Sequence, residues 1–178
     1  MSAAEYTIGR HCGITFAGLK PASLVSIDRG EGGVLSRLSK KFIKKGFRFV
    51  VLGRCKGKLL VYVYHAEGLK KVLFSQEVRI FLHSCGYEYG SVEEAIEQLK
   101  AKMSGEFPHE IGVFLGYPLS DVIGFMQDPH GGIMCGCWKV YSNEQEVAKT
   151  FARFNRCSAC ICRHMDRGKS LSQIFNVV

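Results

Sequence analysis

The sequence predicts an α+β fold: a single domain in which a small, mostly antiparallel sheet of three or four strands is packed by several helices and followed by a long C-terminal helix. Three observations carry this prediction. Residues 47–52 (FRFVVL) and 59–64 (LLVYVY) are rich in the β-branched and aromatic side chains that suit a pleated surface. The polar loop between them is short, so the two runs pair as an antiparallel hairpin. Most of the remaining chain repeats its apolar residues at helical spacing.

The elements follow in order. Residues 3–11 form a short helix leading into Arg10-His11-Cys12-Gly13, and 15–20 (TFAGLK) is compact. Residues 24–27 alternate and read as a first strand, and 28–33 make a turn. Val34, Leu35, Leu38, Phe42 and Ile43 recur at helical spacing, giving an amphipathic helix over 33–45 with its lysines outward and Gly46 as its terminator. After the hairpin come helices over 67–74, 75–84 and 91–103, the last opened by a capping-box pattern, Ser91-Val92-Glu93-Glu94. Residues 86–90 (GYEYG) are a loop.

The stretch 107–118, FPHEIGVFLGYP, is the most distinctive. Pro108 suits a first helical turn, and Glu110 then sits where the helix dipole favours negative charge. Ile111, Phe114 and Leu115 make one apolar face. Gly116 ends the helix, and Pro118 disfavours helix at Tyr117. Ser120 or Asp121 caps a second helix with Val122, Ile123, Phe125 and Met126 as its apolar residues, ended by Asp128-Pro129 and Gly131-Gly132. Residues 135–141 form a last short strand. Asn143 caps a long helix over 144–166 with Val147, Phe151, Phe154 and Ile161 inward, Gly168 ends it, and a short tail helix follows.

At 178 residues the chain is long enough to bury a core as one domain. No apolar run approaches the length of a membrane span, and the first residues lack the basic-then-apolar pattern of a signal peptide. A cytoplasmic location with no membrane partner is expected, and the eight cysteines then read as thiols. The net charge of +8 is concentrated at one end: residues 1–60 hold 12 Lys and Arg against 3 Asp and Glu. Arg37, Lys40, Lys41, Lys44, Lys45 and Arg48 dominate that excess. Such a patch suits an acidic protein; nucleic acid is the less favoured partner, because basic surface alone is weak evidence for it.

No phosphate-binding loop, nucleophile elbow or dinucleotide fingerprint is present, and Val113 stands where a zinc-protease HExxH motif needs its second histidine. Gly112, Gly116 and Val122 match the small residue, turn glycine and buried aliphatic of a DNA-binding helix-turn-helix, but the second helix offers no base. Cys157, Cys160, Cys162 and His164 have metal-like spacing for zinc or an iron–sulfur cluster. On one regular helix, however, Cys162 lies roughly 160° from Cys160, which splays the set. Cys135 and Cys137 face one side if they lie on a strand, and redox sensing by this pair requires a lowered thiol pKa. His11-Cys12 suits a haem or other iron cofactor, or a thiolate nucleophile; a buried structural cysteine beside a hydrogen-bonded histidine is the plainer alternative.

The segments FPHEIGVFLGYPLSDVIGF and CWKVY, together with RHCGITFAGLKPASLVS near the start, resemble an uncharacterised bacterial family, the domain of unknown function 3793. That family's opening usually reads RHCxPTLAGLK; here Ile14 replaces the proline, so the turn after Cys12 is expected to differ. The resemblance covers nearly the whole chain. It implies a cytoplasmic protein of mainly anaerobic bacteria with flavodoxin genes often nearby, and flavodoxin is itself an acidic partner that suits the basic patch. It implies no assigned activity. His11, Lys20, His109, Glu110, Trp138 and Tyr141 are the polar or amphipathic residues inside these motifs. With Cys12 they form the expected binding set: Trp138 and Tyr141 as walls, His11 and His109 as ligands or acid/base groups, Lys20 against an anion. The leading expectation is a binding protein for a small anionic or iron-containing cofactor, with iron, haem or zinc as candidates, in anaerobic redox or metal metabolism. A small enzyme using His/Cys acid-base or thiol chemistry and a helix-turn-helix regulator are the alternatives.

Overall fold

A computed structural model describes residues 1–177, the side chain of Cys55 apart. The chain is α+β, with a three-stranded antiparallel sheet, a separate two-stranded hairpin and a long helix near its C-terminus. It forms two compact units. The first comprises Met1–Gly68 and the chain from Arg156 onward; the second is Leu69–Asn155.

The first unit is built on strands β1 (Ala22–Asp28), β2 (Phe47–Cys55) and β3 (Lys58–His65), in the order β1-β3-β2. Register follows the side-chain alternation. Ser23, Val25 and Ile27 stand opposite Val63, Val61 and Leu59 on one face, and β2 adds Phe47, Phe49 and Val51 beside His65, Val63 and Val61. Helix α1 (Ala3–Phe16), α2 (Gly32–Phe42) and the last turns of α8 (Glu144–Asp166) contribute Ile8, Cys12, Phe16, Leu38, Phe42, Ile161 and Met165 to the core on that face. Phe16 packs on Phe42 with ring centroids 4.3 Å apart and meets Phe47 edge-on at 5.2 Å. Tyr62 and Tyr64, on the opposite face, stack at 5.5 Å and are themselves buried.

Three differences from expectation have local causes. Helix α1 runs five residues past the expected end, through Ile14, because no proline interrupts it and Gly13 lets it lie against Ile161; an added Cβ would stand 2.7 Å from that side chain. The β2–β3 hairpin is tighter than the expected six-residue loop: Cys55 pairs with Lys58, and Lys56 (φ 47°) and Gly57 (φ 77°) alone make the turn. A bulge between Val51 and Gly53 absorbs the odd residue. Gly46, at φ 81°, ends the basic helix as expected, after one 3-10 turn over Ile43–Lys45.

The second unit holds most of α3 (Ala66–Leu73), then α4 (Gln76–Ser84), α5 (Val92–Lys102), α6 (Ile111–Phe114) and α7 (Leu119–Gln127). Its hairpin is β4 (Met134–Cys135) and β5 (Lys139–Val140), and the first turns of α8 follow. Ser91 caps α5 through its side chain, as its sequence predicts. The expected strand over 135–141 is instead this small hairpin, because Gly136, Cys137 and Trp138 form its turn; Cys135 and Cys137 therefore do not share a strand. Val147, Phe151, Phe154 and Ile161 of α8 are all buried, and α9 (Leu171–Ile174) closes the chain behind Gly168 (φ 84°). No described helix is long and apolar enough to cross a membrane.

Candidate aromatic pocket

The second unit contains a pocket of about 400 Å3 built almost wholly from the 107–118 segment, α7 and the β4–β5 hairpin. Its construction begins with the turn between α6 and α7. Gly116 takes φ 76°, which reverses the chain within one residue. Gly112 has no side chain, so Val122 and Tyr117 close over it; a Cβ there would lie 2.8 Å from Val122 Cγ2. Ile111, Leu115, Val122 and Phe125 supply the aliphatic and part of the aromatic lining.

Trp138 also lines the pocket, stacked on Tyr117 at 4.8 Å with 24° between the planes, and backed edge-on by Phe151 at 4.6 Å. Asp121 holds it there. This carboxylate is 2% exposed. It accepts from the Trp138 indole Nε1–H (2.8 Å), the Tyr141 backbone N–H (2.8 Å) and the Ser142 backbone N–H (3.1 Å). Asp121 was expected at most as a helix cap, yet the cap position of α7 is Pro118 and Asp121 lies inside the first turn. Its partners stand 17 to 21 residues onward. Only its place in a pattern of otherwise apolar residues hinted at a long-range role.

The rim is polar and aromatic. His109 is exposed and meets Phe125 edge-on at 5.2 Å and Phe107 at 6.1 Å. Lys139 also lines the pocket and donates to Pro129 O at 2.6 Å, a bond that leaves capacity in a three-donor ammonium. Tyr117, largely desolvated, has its phenol pKa raised, first by burial and then by Cys137.

The expected site residues therefore divide. His109 and Trp138 line the same pocket. Tyr141 is not a wall. Its ring fills the space left by Gly124, and its hydroxyl donates to Asp128 O at 2.5 Å, so it buttresses α7. Glu110 is buried beside the pocket segment; it stands at the N-cap of α6, but its side chain makes no capping bond. It accepts from Tyr87 Oη at 3.1 Å and faces Lys102 Nζ at 3.7 Å; that ammonium also lies 4.8 Å from the Tyr87 ring centre. Burial first, then the Glu110 charge and hydrogen bond, push the Tyr87 pKa well above its ordinary value.

His11, Cys12 and Lys20 belong to the first unit. His11 is exposed on α1, whereas Cys12 is fully buried in the core and its thiol pKa is pushed by burial up to about 12. That is the opposite of what an activated thiolate needs. Cys157, Cys160, Cys162 and His164 lie along the uninterrupted helix α8. Cys157 and Cys162 pack against the core, Cys160 is exposed, and His164 Nδ1 is buried with no hydrogen-bond partner among the described residues. No three His, Cys, Asp or Glu side chains among the described residues gather so as to hold a metal ion. The turn between α6 and α7 does reproduce the small-residue, turn-glycine and buried-aliphatic positions of a helix-turn-helix. But α6 is a single turn, and α7 carries no lysine or arginine.

An α+β chain with an apolar, aromatic pocket is the class these features define. The chain belongs to a family described as "Protein of unknown function (DUF3793)", whose model matches residues 8–175. Neither the curated proteins nor the solved structures give a match.

Proposed function

We propose that this protein binds a small, flat, anionic ligand in the aromatic pocket of its second unit. The observation that carries the reading is the Tyr117–Trp138 stack, fixed by a buried carboxylate, which with Phe125, Leu115 and Val122 lines a cavity of about 400 Å3. Ligand pockets are typically of this size, apolar, with few polar groups that set orientation. Stacked aromatic rings favour a planar ligand. Lys139 at the rim supplies the charge for an anionic substituent, and His109 a second polar contact. Were the ligand an iron porphyrin, His109, which lines the pocket, would be the side chain to hold its iron, and the aromatic lining would take the ring. A metal held by side chains alone is less well supported by this arrangement.

The chain has one tryptophan, so its intrinsic fluorescence reports on this wall. Titration with planar aromatic carboxylates and with haemin is expected to quench Trp138 emission saturably. Phe125→Ala is expected to weaken binding about tenfold or more, and Lys139→Ala to weaken the carboxylates about tenfold, the loss of one charge-assisted contact. Quenching that is non-saturable, or unchanged in both variants, rejects the pocket as the site.

A further inference from the structure

We infer that the tip of the β4–β5 hairpin, Cys135-Gly136-Cys137, is a dithiol that undergoes thiol–disulfide exchange with low-molecular-weight disulfides and closes into an internal disulfide. Both cysteines are exposed, and they are separated by a single glycine. The glycine is not incidental. An added Cβ at Gly136 would run into the Phe151 ring, so this exposed loop crosses the ring with room for no side chain there, while Cys135 and Cys137 are both exposed. The turn is short and is tied by the Gly136 N–H donating to Trp138 O at 3.0 Å. The other described cysteines are placed differently. Cys12 is wholly buried, and burial raises the thiol pKa of Cys85 and Cys157. Cys160 is exposed, but it sits in the middle of a 23-residue helix with half-buried Cys157 one turn away.

The chemistry balances with the disulfide as oxidant. One cysteine loses its proton and attacks a sulfur of the small disulfide; that S–S bond breaks, and the departing thiolate takes up a proton as a thiol. The second cysteine then attacks the mixed disulfide, forming the Cys135–Cys137 bond and releasing the second small thiol. The protein loses two electrons and two protons, and both end on the released thiols. Exposed or strained disulfides are the readily reversed ones, and a ring closed across one residue is both. Closure lies within one residue of the pocket wall. Cys137 precedes Trp138, and its carbonyl accepts from Tyr117 Oη at 3.5 Å, the ring on which Trp138 stacks.

The test treats the reduced protein with oxidised glutathione and maps the products by peptide mass spectrometry. The expected result is loss of two hydrogens from the peptide spanning residues 135–137, reversed by dithiothreitol, with a parallel fall in Trp138 emission. Cys135→Ser and Cys137→Ser should each retain one glutathione on the remaining cysteine and lose the internal closure. Independent glutathione adducts on both cysteines of the native protein, closure mapped to Cys157 and Cys160, or no reaction at residues 135–137 would each overturn the assignment. None of these outcomes depends on whether the pocket holds a ligand.

Discussion

Asp121 connects the largest number of separate pieces at the pocket. A carboxylate with 2% exposure is costly unless its oxygens are hydrogen-bonded, and three N–H donors at 2.8 to 3.1 Å meet that requirement here. Replacing it leaves an indole and two backbone N–H groups without their acceptor. Asp121→Ala is therefore expected to destabilise the protein by about 3 kcal/mol in urea denaturation, and to shift the Trp138 emission maximum in the folded state. A loss under about 1 kcal/mol would show that water or neighbouring groups replace the carboxylate readily. The sequence identified Trp138 and His109 as pocket residues because they lie in distinctive motifs. It assigned Asp121 a local capping role and Tyr141 a wall position. Both assignments missed contacts fixed by folding: helix capping is visible in a window of four residues, whereas the Asp121 bonds span 17 to 21.

At the scale of elements, periodicity was a good guide and turn geometry a poor one. The apolar spacing placed α2 to α5 and α8 closely, since each must bury a stripe whatever it packs on. Short elements depended on their neighbours: α6 is only Ile111–Phe114, because Pro108, His109 and Glu110 form the approach to it. The expected last strand became a hairpin because Gly136 sits against Phe151. The β2–β3 turn offers a direct check. With positive φ at both Lys56 and Gly57 it has the pattern of a type I′ turn, which favours Asn-Gly. Lys56→Asn should raise stability by about 0.5 kcal/mol, because asparagine tolerates the left-handed region better than lysine does. An unchanged or lower denaturation midpoint would mean that the lysine has compensating interactions.

For the whole molecule, buried ionisable groups set an upper pH limit. Cys12 has its pKa raised from 9.0 to about 12, and the Tyr62 phenol, also fully buried, is raised well above 10.0. Above pH 9 the unfolded thiol ionises while the folded one keeps its proton, so the unfolded state gains and stability falls as pH rises toward 12. The Cys12 contribution is fully present below pH 9. Cys12→Ala should make the decline between about pH 9 and 12 shallower in urea titrations, with the buried Tyr62 still lowering stability above pH 10, where its unfolded phenol ionises; a slope identical to the native protein's would remove Cys12 from this account. The α+β class was legible from the sequence because strand and helix patterns are local and dense. The pocket was legible only as a list of residues, since its volume depends on where Gly112 and Gly124 let other side chains close in.

The central claim, that the Trp138 cleft is a ligand site, is tested most directly by NMR. In 15N-labelled protein the single tryptophan gives one indole N–H resonance, and its hydrogen bond to Asp121 fixes its starting environment. Titration with planar aromatic carboxylates should shift that resonance together with the backbone signals of Leu115, Val122 and Phe125, saturating at one ligand per chain. Saturable binding that leaves the indole resonance in place, with shifts elsewhere on the chain, would contradict the account.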